Sequence, residues 1–180
     1  RTTHNQAVHV VRLDLSCLKS VRSFAEAVCE GMPAVHFLIN NAGIADADYV
    51  LTAEGCELHF ATNHLGHFLL FALLADRLKA AEGARVVSLT SAAHRRSAVD
   101  FDDLDFRVRP YDAYVAYAQS KTATSLFAVG LSHRFLGAGI ACNAVMPGMV
   151  ITDLIANLSP ERLRSLRFTD DSGALEPFVK

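Results

Sequence analysis

Apolar residues in this chain fall into short unbroken runs, separated by longer stretches in which they recur every third or fourth position. The runs at 7–13, 35–39, 85–89 and 140–145 predict strands, since a strand buried on both faces has no polar face to alternate with. The stretches between them predict helices. One starts at a cap on Ser16 or Ser20, reaches Glu30 and closes at Gly31-Met32-Pro33. A second covers 54–81 and stops at Gly83, with an irregularity expected near Asn63 and Gly66. A third covers 113–136 and ends in Gly137-Ala138-Gly139. A short fourth opens at Ser159-Pro160-Glu161, with serine at the cap and proline at the first helical position. Strand and helix alternate throughout, so the expected fold is α/β: a doubly wound parallel sheet, covered on both faces, in one domain over 1–180.

Composition narrows the function. A chain of 180 residues with 51% apolar content can bury a substantial core. A net charge of −2 gives no electrostatic footprint for nucleic acid or an anionic membrane. Arg95-Arg96 and the trio Arg162, Arg164 and Arg167 read as solvated faces. Cys17, Cys29, Cys56 and Cys142 share no CxxC spacing and read as thiols of a reducing compartment, so a cytoplasmic location is expected. The longest apolar run, 68–75, is too short to cross a bilayer. The third helix is apolar nearly all round, with Val115, Leu126, Phe127, Val129 and Leu131. Such a helix is buried on more than one side, either within the monomer or against a second copy.

The chemistry centres on Tyr117-Ala118-Gln119-Ser120-Lys121, which sets a phenol and an ammonium one turn apart on one helix face. A cation beside the ring favours phenolate and draws a tyrosine pKa below its ordinary value of about 10. That fits the phenol for proton transfer near neutral pH. Alone, the same spacing describes a surface pair worth about 0.3 kcal/mol. Three other segments give it context. Residues 37–43 form an apolar run ending in Asn40-Asn41-Ala42-Gly43, and residues 85–91 form another ending in Thr90-Ser91. Asn63-His64-Leu65-Gly66-His67 places polar and flexible residues inside a helical pattern. Ligands of open α/β sheets bind at the carboxyl ends of strands, where Asp14, Asn41, Ala42, Gly43, Ser91, Pro147 and Gly148 all fall in this reading. His64 and His67 lie three apart without a third ligand and read as packing or surface residues; no metal is expected. Ser91, His94 and Asp102 have the residue types of a hydrolase triad, but the G-x-S-x-G elbow that exposes such a serine is absent.

Strand-NNAG, helix with Asn63, strand-Ser91 and then YxxxK, in that order, resemble the short-chain dehydrogenase/reductase family over residues 8–152. Residues 63–68 and the long stretch between Ser91 and Tyr117 resemble its retinol-dehydrogenase-like and WW-domain-oxidoreductase-like members. The resemblance implies a Rossmann-like sheet, NAD or NADP as cofactor, and an alcohol paired with its ketone or aldehyde, lipophilic in several members. It implies that Tyr117 donates and accepts the proton, while Lys121 lowers its pKa and bonds the nicotinamide ribose. Ser91 would hold the substrate oxygen, preferred over Thr90 because the family's serine is second in the pair. The main-chain carbonyl of Asn63 would anchor a water relay to Lys121. Asn41, Ala42 and Gly43 would line the adenosine ribose, Asp14 with Leu15 would meet the adenine, and Val150 and Thr152, after Pro147-Gly148, would contact the nicotinamide amide. Asn40 is largely structural in the family. Its members commonly form homodimers or homotetramers through the third helix and the helix carrying Asn63.

Two features depart from the family. No Gly-rich TGxxxGxG turn is present, and 172–180 offers no convincing final strand. The chain is therefore expected to represent the central part of a dehydrogenase, truncated at both ends, with an exposed sheet edge. The rival reading is a non-catalytic remnant that acts as a binding or regulatory protein. Between Ser91 and Tyr117, an insertion carries Phe101, Asp102, Asp103, Leu104, Asp105, Phe106 and Tyr111. It reads as a loop beside the substrate entrance, or as a surface excursion whose aromatics fill a satellite core.

Overall fold

The structure, a computed structural model, describes residues 5–148, 150, 152, 160–165 and 168–174. Three strands, β1 (Phe37–Asn40), β2 (Arg85–Leu89) and β3 (Ala141–Val145), form a parallel sheet in that order. Leu38, Val86 and Cys142 stand in register across it. Parallel neighbours need crossovers, supplied by a helix α2 (Leu58–Lys79) between β1 and β2 and by α3 (Ala113–Phe135) between β2 and β3. A helix α1 (Leu18–Gly31) precedes them, and a short α4 (Pro160–Ser165) follows. The last opens at Pro160 as predicted, while Ser159 lies outside the described residues.

One core holds these elements together. Leu38, Val86 and Cys142 from the sheet meet Val21 and Ala25 of α1, Leu70, Phe71, Leu74 and Leu78 of α2, and Phe127 and Leu131 of α3. Among the described residues the opposite sheet face is open, leaving Phe37 70% and Ile39 63% exposed. On α3 no residue of 113–125 is exposed, so this half is buried on more than one side within the monomer, whereas Leu126 and Val129 in the second half are more than half exposed. By length and composition α2 could cross a bilayer, but 50% of its most apolar window is buried inside the protein, as for a core helix.

The strand expected at 7–13 does not form. The segment pairs with no described strand, and Val8, Val10 and Val11 are exposed. An extended run becomes a strand only when a neighbour takes its N–H and C=O groups. The cap of α1 also differs from expectation. Cys17 occupies the N-cap and makes no side-chain cap bond. Instead the Leu18 N–H donates to Glu54 Oε1 at 2.9 Å, across 36 residues of sequence. Helix α2 starts at Leu58 rather than at 54, because the Glu57 carboxylate caps it by accepting from the N–H groups of His59 and Phe60. The expected irregularity is real: residues Ala61–Leu65 are a π-turn, with the Gly66 N–H reaching Ala61 O. Gly66 is required there, since a Cβ would collide with the Leu15 carbonyl that crosses it. Asp112 caps α3, accepting from Val115 N–H at 2.9 Å, and Gly139 ends the following turn at φ 78°.

Candidate active site

The π-turn aims Asn63 at the segment that follows β1. Its Oδ1 accepts from the Ile44 N–H at 2.8 Å, and its Nδ2 donates to Ile44 O at 3.0 Å and to Ser120 Oγ at 2.9 Å. One buried amide thus ties β1's outgoing segment to α2 and α3. Gly43 sits directly before this tether. A Cβ on it would lie 2.9 Å from Asn63 Oδ1 and 3.4 Å from Lys121 Nζ, so glycine lets the three groups close up. The Asn63 carbonyl accepts from His67 Nδ1 at 3.1 Å and from the Thr124 hydroxyl at 3.2 Å. His67 is thereby a buried hydrogen-bonding residue, whereas His64 packs its ring among Phe60, Phe68 and Phe127.

At the end of β2 the two hydroxyls part company. Thr90 turns into α3, donating to Lys121 O at 2.9 Å and sharing a 2.8 Å bond with Ser125 Oγ. Ser91 faces the other way. It accepts from Ala93 N–H at 3.2 Å, opening a short 3-10 turn (Ala92–Arg96), and lies near enough to the Tyr117 hydroxyl to pull its pKa down. His94 bonds the Ser91 main-chain carbonyl through Nδ1 at 2.7 Å rather than its hydroxyl, and Asp102 is exposed, so no hydrolase triad assembles.

Tyr117 and Lys121 lie on one face of α3, with Nζ 5.7 Å from the centroid of the phenol ring. The electrostatics differ from the sequence expectation. Burial pushes the Tyr117 pKa above its usual value of 10, against the downward pull of Ser91. The Lys121 ammonium lies 5.7 Å from the ring centroid and donates to the Leu89 carbonyl at 2.9 Å rather than to the phenol. Burial also lowers the Lys121 pKa to about 8.

The remaining predicted residues divide into two groups. Asn40 is buried and bonds Ser88 Oγ at 3.3 Å, a structural role as expected. Asn41 and Ala42 are exposed at the carboxyl end of β1, and Pro147 and Gly148 are exposed beyond β3. The ends of β2 and β3 are joined by Thr90 N–H on Val145 O at 3.0 Å. Val150 and Thr152 lie further along, at the surface. No described contact joins Asp14 or Leu15 to the Tyr117 cluster. Asp14 ends no strand; its carboxylate takes the N–H and hydroxyl of Ser16, which hold its pKa below the usual carboxylate range. The Leu15 side chain belongs to the core. In the insertion, Phe106 is buried under the Arg109 guanidinium, 3.9 Å from its ring centroid, and against Tyr111 at 5.2 Å. That is the satellite core; Phe101 stays exposed. Sequence reasoning did not anticipate Glu57, His59, Gln119, Ser120 or Thr124. All five are buried polar residues; Glu57 and His59 alternate with Cys56, Leu58 and Phe60, a signal of burial, whereas Gln119, Ser120 and Thr124 fall in a polar run that gives none.

A family model described as enoyl-(acyl carrier protein) reductase matches residues 1–168. Human retinol dehydrogenase 13 is 45% identical over 152 residues, covering 84% of this chain and 46% of that protein. A probable oxidoreductase of Streptomyces lividans is 42% identical over 171 residues, covering 94% of this chain and 56% of that protein. Among solved structures, a short chain dehydrogenase from Burkholderia cenocepacia in complex with NADP superposes with a TM-score of 0.64 at 27% identity, over 86% of this chain and 59% of that one. The chain spans about half the length of the curated relatives it matches.

Proposed function

Since the chain belongs to the short-chain dehydrogenase/reductase family, we propose that the protein is an NAD(P)-dependent oxidoreductase interconverting a lipophilic alcohol and its aldehyde or ketone. The observation that carries this reading is that Tyr117 and Lys121, one turn apart on α3, stand at the carboxyl ends of β1 and β2, where Lys121 Nζ donates to Leu89 O and Asn63 holds the segment after Gly43. The substrate class follows the relatives named retinol dehydrogenases.

The site suits a dinucleotide where Gly43 brings bare backbone against Asn63 and Lys121. Asn41, Ala42 and Gly43 would hold the adenosine ribose, and Lys121 the nicotinamide ribose. Pro147, Gly148, Val150 and Thr152 would hold the nicotinamide amide, with Asp14 and Leu15 at the adenine. When bound, NAD(P) supplies the hydride chemistry. The chain's own residues manage the proton and the geometry. Tyr117, kept neutral by burial, donates its proton to the carbonyl oxygen of a substrate, and Ser91 shares that oxygen through its hydroxyl. Lys121 keeps its ammonium under Leu89 O, close to the segment at Gly43. Asn63 fixes that segment to both helices.

The test is fluorescence titration of NADH and NADPH, followed by retinaldehyde reduction read as loss of reduced cofactor. Tyr117→Phe should cost about 10²–10⁴ in turnover while leaving cofactor affinity intact. Retained turnover in that variant would remove Tyr117 as the proton carrier.

A further inference from the structure

Asn63 takes both backbone groups of Ile44. Three residues on, Ala47 is gripped in the same way by other side chains. Its N–H donates to His59 Nε2 at 3.2 Å, and its carbonyl accepts from the Tyr111 hydroxyl at 2.9 Å. Glu57 holds both of those groups: Oε1 accepts from His59 Nδ1 at 2.8 Å and lies 3.3 Å from the Tyr111 hydroxyl. Because Nε2 accepts, the ring proton resides on Nδ1, and the imidazole is held as one tautomer. The insertion closes over this knot. Asp105 accepts from the Glu57 N–H at 2.8 Å, and its carbonyl accepts from the Tyr49 hydroxyl at 2.9 Å.

Capping α2 explains the Glu57 carboxylate but not its neighbour. Glu57 and His59 are each 0% exposed, and an apolar ring at 59 would fill the same volume without polar atoms to satisfy. What the imidazole adds is a hydrogen bond to the loop and a ring for the site. It stands edge-on to Tyr117, with centroids 6.3 Å apart and planes at 68°. Tyr111 belongs to the segment that leads into α3, which carries Tyr117 one and a half turns later.

We propose that Glu57, His59 and Tyr111 are positioning residues that fix the Ala47 segment as one wall of the substrate site and hold the Tyr117 ring edge-on to His59 in its place at that site. This rests on the oxidoreductase reading above. Three variants separate the parts. His59→Phe keeps the ring and removes its bonds to Ala47, Glu57 and Tyr111. His59→Gln restores an oxygen that can accept from Ala47. Tyr111→Phe deletes the donor to the Ala47 carbonyl together with its longer contacts to Glu57 Oε1 and His59 Nδ1, and leaves the Ala47 N–H bond to His59 in place. In His59→Phe, amide exchange at Ala47, read by NMR, should accelerate about tenfold or more, while His59→Gln stays near wild type. In His59→Phe and Tyr111→Phe, kcat for retinaldehyde should fall about tenfold with NADPH affinity within about twofold, and His59→Gln should recover most of that loss.

Unchanged kcat in both phenylalanine variants overturns the proposal. So does a loss of kcat, cofactor affinity and thermal midpoint together in all three, which would mark a merely structural knot. A wild-type protein that reduces no aldehyde defeats the oxidoreductase reading alone. Positioning is then decided by Ala47 exchange and by the pH titration of labelled Tyr117 ring carbons, both of which must change in His59→Phe. Where His59→Phe fails to fold, Tyr111→Phe carries the test, since it removes a single oxygen.

Discussion

Replacing His64 with phenylalanine should make the protein more resistant to acid, by an amount the structure allows to be worked out. The His64 ring lies 5.1 Å from Phe60, 5.8 Å from Phe127 and 6.0 Å from Phe68, centroid to centroid. Its Nδ1 is buried and bonds nothing. Burial first, and the neighbouring His67 second, draw its pKa from 6.5 to about 4. The folded value therefore lies below the unfolded one, so the unfolded chain binds this proton first as pH falls. Above about pH 6.5 the group costs nothing; between there and about pH 4 stability drains away, and below that the full cost applies. A gap of about 2.5 units at about 1.4 kcal/mol each comes to about 3 kcal/mol. Phenylalanine would complete an aromatic cluster with no nitrogen to orphan. His67, whose pKa burial also lowers, titrates in both proteins and cancels in the comparison. Urea unfolding followed by circular dichroism should place the two proteins within about 1 kcal/mol at pH 7 and separate them by about 3 kcal/mol below pH 4. Parallel stability profiles across that range would refute the burial argument.

Two further outcomes bear on the same region. Lys121 has a folded pKa of about 8 against 10.5, so the unfolded chain holds the extra proton between those values and stability should climb as pH rises through that window. Lys121→Met should abolish the climb and weaken NADH and NADPH binding; unchanged affinity in the titration would count against the ribose contact. Gly66→Ala drives a Cβ into the Leu15 carbonyl and should cost about 2 kcal/mol or more in urea unfolding, while an alanine variant of full stability would show that the crossing is looser than described.

The elements that were legible in the sequence are those whose signals are local. Helix α3 runs Ala113–Phe135 against the expected 113–136, because its pattern is continuous and its stop, Gly137-Ala138-Gly139, is written beside it. The π-turn was legible as an irregularity, since Asn63 and Gly66 fit a regular helix poorly, although not as the shift in hydrogen bonding that it is. Elements completed from a distance were not legible. Glu54 caps α1 from 36 residues away, and the apolar run at 7–13 has strand composition without a strand partner. The insertion showed its aromatics but not its hub, the Asp103 carboxylate that accepts from the N–H groups of Arg107, Val108 and Arg109.

The site repeats this division at the level of single atoms. Helical spacing placed Tyr117 and Lys121 on one face and strand ends placed Ser91 beside them, because both follow from backbone period alone. The preference for Ser91 over Thr90 rests on the family's order of the pair, and just past β2 the Thr90 hydroxyl finds its partners on α3. The direction of the Tyr117 shift could not be read from spacing, because it is a contest between two magnitudes. A cation 5.7 Å from the ring centroid, already committed to the Leu89 carbonyl, loses to the desolvation of a phenol packed between Ser91 and His59. Desolvation also takes Lys121 down to about 8. At neutral pH the site therefore presents a protonated phenol beside a protonated amine, the charge state that the proposed proton donation by Tyr117 requires.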